Sequence, residues 1–469
     1  MTDLVLREVV VGGKLVDVRA SGGVIVEIGR RLVARPGDDE VDGRRGAVVP
    51  GLHDHHIHLV ALAAATRSPF VGPPVVADEQ QFATVLRQAH DALADAEWLR
   101  AIGYHESVAG PLDRWRLDAL VPDRPVRVQH RAGGAWVLNS RGLALVGVDA
   151  DTDRTGVERD GDGQPTGRLL GLDRWLRARL PPPPAPDLAA VGTLLANYGV
   201  TGVTDLTPAS SLDDLAPIAD AARAGTLPQR VVVSGSPVLA GAEVPPPLAL
   251  GPVKLVVDDH ALPGLDTLVR WMRAAHEAAR PVAVHCTTRS ALALALDALD
   301  EAGTRDGDRV EHGSVVPPDL RRVVAAKGLT VVTQPAYVLE RGDRYLASVA
   351  ADDLPHLYPC RGLIEAGIPV GGGTDAPYGH PDPWRHVASA IERRTSSGAP
   401  LGVREAVSPE RALALFLTSP GTPGGGTRRV AMGEPADLCL LDGPLSQVLE
   451  DPSSSHVALT VIAGTVRPV

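Results

Sequence analysis

Short apolar runs rich in Val, Leu and Ile recur along the chain, and over its second half they alternate with stretches of helical periodicity. Eight such runs predict strands: residues 48–59, 199–206, 229–235, 251–259, 280–286, 308–313, 328–335 and 367–377. Between the later ones lie "LDTLVRWMRAAHEAA", "RSALALALDALDEAG" and "PPDLRRVVAAKG", whose apolar residues fall on one helical face. Eight strand–helix units predict an α/β fold, a (β/α)8 barrel of the TIM type. The two ends read differently. "EVVVGGKLVDVRA" and "GVIVEIG" near the start, with "ADLCLLD" and "HVALTVIAGTVRPV" near the finish, predict one small β-sandwich built from both termini. The domain reading is therefore 1–47 and 416–469 for the sandwich and 48–415 for the barrel. Residues of about 60–190 do not fit the eightfold count. With extra β-like pieces ("WLRAIGY", "PVRVQHR") and the run "LPPPPAPDLAAVG", they predict an insertion after the first barrel strand.

Several polar side chains break the apolar pattern where the barrel strands end. The first strand, "VVPGLHDHHIHL", holds His53, His55, His56 and His58, two overlapping His-x-His pairs. A strand turns alternate side chains to one face, so either pair can aim two imidazoles at one ion. Lys254 sits in the fourth strand, His285 ends the fifth, His312 the sixth, and Asp375 lies near the end of the eighth. Singly, each has a structural explanation: a hydrogen-bonded histidine, a turn-capping aspartate, a lysine reaching solvent. Jointly they fall at the end of a barrel where catalytic groups gather. Imidazoles and carboxylates are the donors a catalytic zinc-type ion takes. Lys254 is conspicuous because 43 of the 46 basic residues are arginine.

Bulk properties narrow the function. A net charge of −11 argues against a nucleic-acid or anionic-membrane partner. Three scattered cysteines form no disulfide framework, and the N-terminus lacks a signal-peptide core. No apolar run reaches the ~20 residues of a membrane span. These features predict a cytoplasmic protein with a small-molecule substrate.

"PGLHDHHIHL" resembles the P-G-x-x-D-x-H-x-H signature of the amidohydrolase superfamily. "VKLVVDD", "VAVHC", "DRVEHGSV" and "AGIPVGGGTDAP" resemble later motifs of its family 3 branch, which contains N-substituted formamide deformylases. "NS" at 139–140, "DGQPTGRLL", "ERALALFLTSPG" and "GEPADLCLLD" extend the resemblance over almost the whole chain. It selects His56 and His58 from the four histidines and leaves His53 and His55 structural. It implies one or two divalent metal ions, zinc foremost, held by His56, His58, His285, His312 and Asp375, with a carboxylated Lys254 as bridge. It implies hydrolysis of a non-peptide C–N bond by metal-activated hydroxide, with Asp375 as general base and then general acid. Relatives point to a homodimer.

Other readings keep the fold: a mononuclear deaminase of an amino-substituted ring, an isomerase or lyase, or a non-catalytic metal-binding scaffold. Glu311 beside His312 resembles a deaminase glutamate, yet strand alternation predicts that it faces away from the ligands. The branch usually carries Gly-His before "NS"; here Gly134 stands in the histidine's place, and "VVDDHALPGLDT" is clipped. A different substrate pocket is expected. Gln334, Tyr337 and Arg341, after the seventh strand, are the candidate substrate contacts, with Trp136 and Trp384 as candidate stacking surfaces. Cys286 is turned away by alternation, and the glycines of "GGG" at 371–373 read as close packing.

Overall fold

The computed structural model describes residues 3–73, 75–94, 97–131, 133–181, 185–209, 211–257 and 262–468. Two compact units make up the chain: Met1–Val60 with Leu188–Val469, and Ala61–Asp187.

In the first unit the eight apolar runs form parallel strands. They are β1 (Leu52–Ile57), β2 (Val200–Asp205), β3 (Arg230–Val233), β4 (Val253–Val256), β5 (Val282–Cys286), β6 (Arg309–His312), β7 (Thr330–Thr333) and β8 (Val370–Gly372). One sheet has the order Ala249–Leu250, β3, β2, β1, and the other runs from β4 to β8 in chain order. Backbone bonds continue past the sheet edges. The Lys254 amide donates to the Gly235 carbonyl at 2.8 Å, and the His58 amide to Ala376 at 2.9 Å. The fourth strand is shorter than its apolar run, and residues 258–261, part of the clipped segment, lie outside the described residues.

Parallel strands are covered on both faces and so read as continuous apolar runs. β2 is covered in this way, with all six positions buried, although Thr201, Thr204 and Asp205 are polar. β1 is equally buried, although His53, Asp54, His55 and His56 make four of its six residues polar. The helices between strands bury one stripe each. Leu265–Glu277 covers Leu268, Val269, Met272 and Ala275. Arg289–Ala302 starts at Thr288, whose hydroxyl accepts the Ala291 amide and satisfies a first-turn donor.

Both chain ends lie in this same unit. One four-stranded sheet has the order Val24–Gly29, Lys14–Ser21, Leu4–Val11, Asp39–Asp42. Another has the order Thr465–Pro468, Val457–Ile462, Leu438–Leu441, Val48–Pro50. Leu6 and Val18 of the first share a buried cluster with Leu440 and Val461 of the second. The strand Val48–Pro50 passes into β1 through Gly51, where a Cβ would lie 2.1 Å from the Thr201 side chain.

The unit Ala61–Asp187 has its own five-stranded sheet, ordered Val157–Arg159, Pro165–Leu170, Ala135–Leu138, Val126–His130, Leu99–Tyr104. Phe82, Leu86, Leu99 and Val126 build one of its cores, and Leu138, Leu143, Leu169 and Leu176 another. Among the described residues no helix is long and apolar enough to cross a membrane.

His53 and His55 occupy one parity of β1. The Nε2 of His53 lies 2.9 Å from Thr204 Oγ1, and that of His55 lies 2.8 Å from Thr418 Oγ1. Burial, aided by Arg309 and Arg428, pushes His55 down to about 3. Its unfolded value is near 6.5, so the unfolded chain takes up the proton first and stability falls as pH drops below 6.5. We expect His55→Gln to flatten that loss. Between pH 7.5 and 5.5 the parent should lose about 1.4 kcal/mol more than the variant, read from denaturant midpoints at the two pH values. Equal losses in the two proteins would show that His55 titrates normally.

Candidate metal centre

The second parity of β1 carries Asp54 and His56, and His58 follows at the strand end. Two buried aspartates fix this segment to its neighbours. Asp54 accepts the amides of His56 and Thr374, each at 3.0 Å, and the Thr374 hydroxyl. Asp205, at the end of β2, accepts the Leu59 amide at 2.7 Å and the Thr207 amide at 2.8 Å. Thr207 Oγ1 in turn lies 3.1 Å from His58 Nδ1. Burial pushes the Asp54 carboxyl up to about 7, against its own hydrogen bonds.

Asp375 reaches the same place from beyond β8. Its amide donates to the His56 carbonyl at 2.7 Å, and its φ is +56°, a conformation aspartate tolerates better than most residues. Gly373 makes the approach possible, since a Cβ there would lie 2.5 Å from His56 Cβ. The "GGG" of the eighth strand is a packing requirement. Asp375 Oδ1 stands 3.1 Å from His58 Nε2 and 3.4 Å from His56 Nε2. Donor atoms of His56, His58 and Asp375 all lie within 4.8 Å of one another, a spacing that can hold a metal ion.

The remaining predicted ligands face each other nearby in the electrostatic sense. His285 Nδ1 and His312 Nε2 are 2.8 Å apart, and His312 Nδ1 lies 4.0 Å from Asp375 Oδ2. Lys254 is 3% exposed, and its Nζ has no hydrogen-bond partner among the described residues. Its charge would bear on His56, His285, His312 and Glu311. Burial holds the Lys254 amine below its ordinary range. Burial likewise lowers His56 to about 4 and His312 to about 3, and takes His285 well below its usual value. Neutral imidazoles are the form that binds metal. Asp375 goes the other way: burial opposes its charge, but His56, His58 and His312 outweigh it and keep the carboxyl ionised.

This donor set fits a divalent metal. His56 Nε2 is buried without a hydrogen-bond partner beside the Asp375 carboxylate, and Lys254 Nζ is partnerless in the same surroundings. A buried polar atom left unpaired costs ~1–3 kcal/mol, and an ion would recover it.

Glu311 departs from the expectation drawn from alternation. Its Oε2 lies 2.6 Å from His56 Nδ1, on the same ring that neighbours His312 at 4.9 Å between centroids. The reason is backbone geometry. His312 has φ +69° and the next residue, Gly313, +50°, so alternation ends there and the His312 ring swings to the face that Glu311 already occupies. The carboxylate in "RVEHG", a charge inside an apolar strand, was the available signal.

The three candidate substrate contacts all have partners in this region. Gln334 Oε1 accepts from His312 Nδ1 at 2.8 Å. The Tyr337 hydroxyl donates to Asp375 Oδ2 at 2.6 Å. Arg341 stacks 3.7 Å above the Tyr337 ring and donates to the Tyr378 carbonyl. Trp384 is buried and donates to the Tyr198 carbonyl. Cys286 is buried, its thiol 3.8 Å from the Ala291 carbonyl. In the other unit, Trp136 donates to Asp173 beneath Arg100 and Arg127, and Gly134 has open space around a would-be Cβ. That unit also brings together His105, Glu106 and His130. There His105 Nδ1 accepts the Ser107 amide at a helix start, and Glu106 pairs with His130 and Arg168. These bonds account for the cluster as an ion-pair network.

Comparison with known proteins adds to this geometry. The family model described as "Amidohydrolase family" matches residues 39–468. An N-substituted formamide deformylase of Arthrobacter pascens is 26% identical, over 96% of this chain and 94% of that protein. An uncharacterized metal-dependent hydrolase from Pyrococcus furiosus superposes with a TM-score of 0.72 at 21% identity, covering 94% of this chain and 99% of the other. Its counterpart from Pyrococcus horikoshii gives 0.74 at 18% identity, over 97% and 100%. The chain belongs to the amidohydrolase family, hydrolases that act on carbon–nitrogen bonds other than peptide bonds.

Proposed function

We propose that this protein hydrolyses a non-peptide amide-type bond of a small molecule, an amide, formamide, cyclic amide or urea-like group, at a centre of two zinc-type ions. The carrying observation is the meeting of His56, His58 and Asp375 within 4.8 Å beside a buried, partnerless Lys254 amine. In this reading the two parallel sheets close as a (β/α)8 barrel, and the two terminal sheets pack as the small β-sandwich. His56, His58 and Asp375 would hold one ion, and His285 and His312 the other. Lys254, whose charge burial disfavours, is the amine that would add CO2, its lone pair forming an N–C bond as one C=O π bond opens and a nitrogen-bound proton leaves to solvent. The resulting carbamate would offer two oxygens as ligands to the ions.

Ions in such a set supply Lewis acidity and lower the pKa of a water toward ~7. The chain's own residues handle the proton. Asp375 takes it from the attacking water and delivers it to the departing nitrogen. The Tyr337 hydroxyl on Oδ2 favours the anionic carboxylate and fixes its plane. Asp54 and Asp205 hold the histidine-bearing segment in place while this occurs. The deaminase alternative drew on Glu311, whose oxygens are engaged by His56 and by Arg309, the latter at 2.6 Å. That leaves the glutamate badly placed for moving substrate protons.

Elemental analysis of zinc-grown protein tests the centre. Two metals per chain are expected in the parent, falling to one or none in Lys254→Ala. A single metal indifferent to Lys254 would replace the bridged pair with a mononuclear site. Amides, ureas, cyclic imides and formamides form the first substrate screen. On whichever is cleaved, Tyr337→Phe should raise the acid limb of the kcat/KM profile by up to about one pH unit, because a carboxylate losing a donor becomes more basic. An unmoved limb would remove Tyr337 from the proton path.

A further inference from the structure

We infer that Glu311, itself anchored by Arg309, is the positioning residue that sets which nitrogen of His56 faces the metal. The inference rests on the metal reading above and adds a residue to it.

An imidazole offers two nitrogens, and a neutral ring can present only one bare lone pair. His56 Nδ1 lies 2.6 Å from Glu311 Oε2, and the Arg309 guanidinium 2.6 Å from the other oxygen makes this carboxylate the acceptor of the pair. The ring must therefore carry its proton on Nδ1, which leaves Nε2 bare. That bare nitrogen is the buried, partnerless atom 3.4 Å from Asp375 Oδ1. The tautomer and the ligand direction follow from one contact.

Glu311 can do this because it is fixed at its other oxygen. Arg309 Nε stands 2.6 Å from Glu311 Oε1, on the same strand and two residues earlier, where alternation returns a side chain to the same face. Arg309 Nη2 also donates to the His55 carbonyl at 3.4 Å, tying the pair back to β1. Arg309, Glu311 and His56 are 4%, 0% and 1% exposed. No sheet pairing links β1 and β6, so the Arg309–Glu311–His56 chain joins two strands that share no ladder. With Oε2 on His56 and Oε1 in ion-pair contact with Arg309, Glu311 acts through the His56 ring.

Two measurements on the full-length protein test the inference. The first is long-range 1H–15N NMR of the histidine rings in metal-free parent protein, where His56 is expected in the Nδ1–H form. The second is titration with Co(II), followed by visible absorption, of the parent and Glu311→Gln. The variant keeps the shape and loses the charge, so its Co(II) affinity should fall about 10–100-fold with an altered spectrum. Its thermal midpoint and far-UV circular dichroism should report a folded chain. His56 protonated on Nε2 in the parent, or a folded Glu311→Gln that binds Co(II) as tightly as the parent with the same spectrum, overturns the assignment. If Glu311→Gln does not fold, the NMR result on the parent decides alone. A parent that shows the Nδ1–H form yet binds no Co(II) supports the tautomer assignment and defeats the metal reading instead.

Discussion

Burial of polar groups governs this site. At the carboxyl ends of the parallel strands an amine, several imidazoles and several carboxylates are held almost without water, and each must find a partner or pay for its desolvation. The partners come from different strands. Asp54 of β1 binds Thr374 beyond β8, Asp205 of β2 binds Leu59, Glu311 of β6 binds His56, and Gln334 after β7 binds His312. Satisfying these groups therefore fixes strand ends relative to one another, in addition to the ladders within each sheet. The network stops short at several buried atoms, among them His56 Nε2 and Lys254 Nζ, the two that the proposed centre would use. Scaffold and reactive centre are one set of hydrogen bonds.

Much of this was legible because the background is so apolar. Eight runs of Val, Leu and Ile locate the parallel strands, and a polar residue inside one stands out by contrast. His285, His312, Lys254 and Asp375 were found in that way. Alternation also separated the histidines of β1 correctly into two groups with different partners, with His53 and His55 bonded to Thr204 and Thr418. It failed at Glu311 for a definite reason. Alternation holds only while φ stays extended, and the left-handed His312 and Gly313 end it at the predicted ligand itself, one residue after Glu311. Asp375, at φ +56°, sits at a similar turn. Residues in such conformations concentrate where strain serves function, and no strand periodicity announces them.

The contacts made by Gln334, Tyr337 and Arg341 were less legible for a different reason. Placement after a strand says that a side chain can reach the site, but not what it meets there. Gln334 and Tyr337 meet His312 and Asp375, so their first effect is on the orientation and charge of those residues. The pocket that selects a substrate must draw on other surfaces.

The contrast between lysine and arginine carries the argument one step further. Arginine keeps its charge under any condition a protein meets, whereas a buried lysine can give its proton up. This chain uses arginine almost everywhere, and at Arg309 it exploits the permanent charge to hold Glu311 ionised in a buried site. A permanent cation at position 254 would lie in the field of His56, His285 and His312 and repel any metal brought to them. Lysine is the basic side chain that can give up its charge there, and burial works in that direction. In the function proposed above the two residues divide the work: Arg309 supplies a fixed charge beside Glu311, and Lys254 is the amine that would serve the metals.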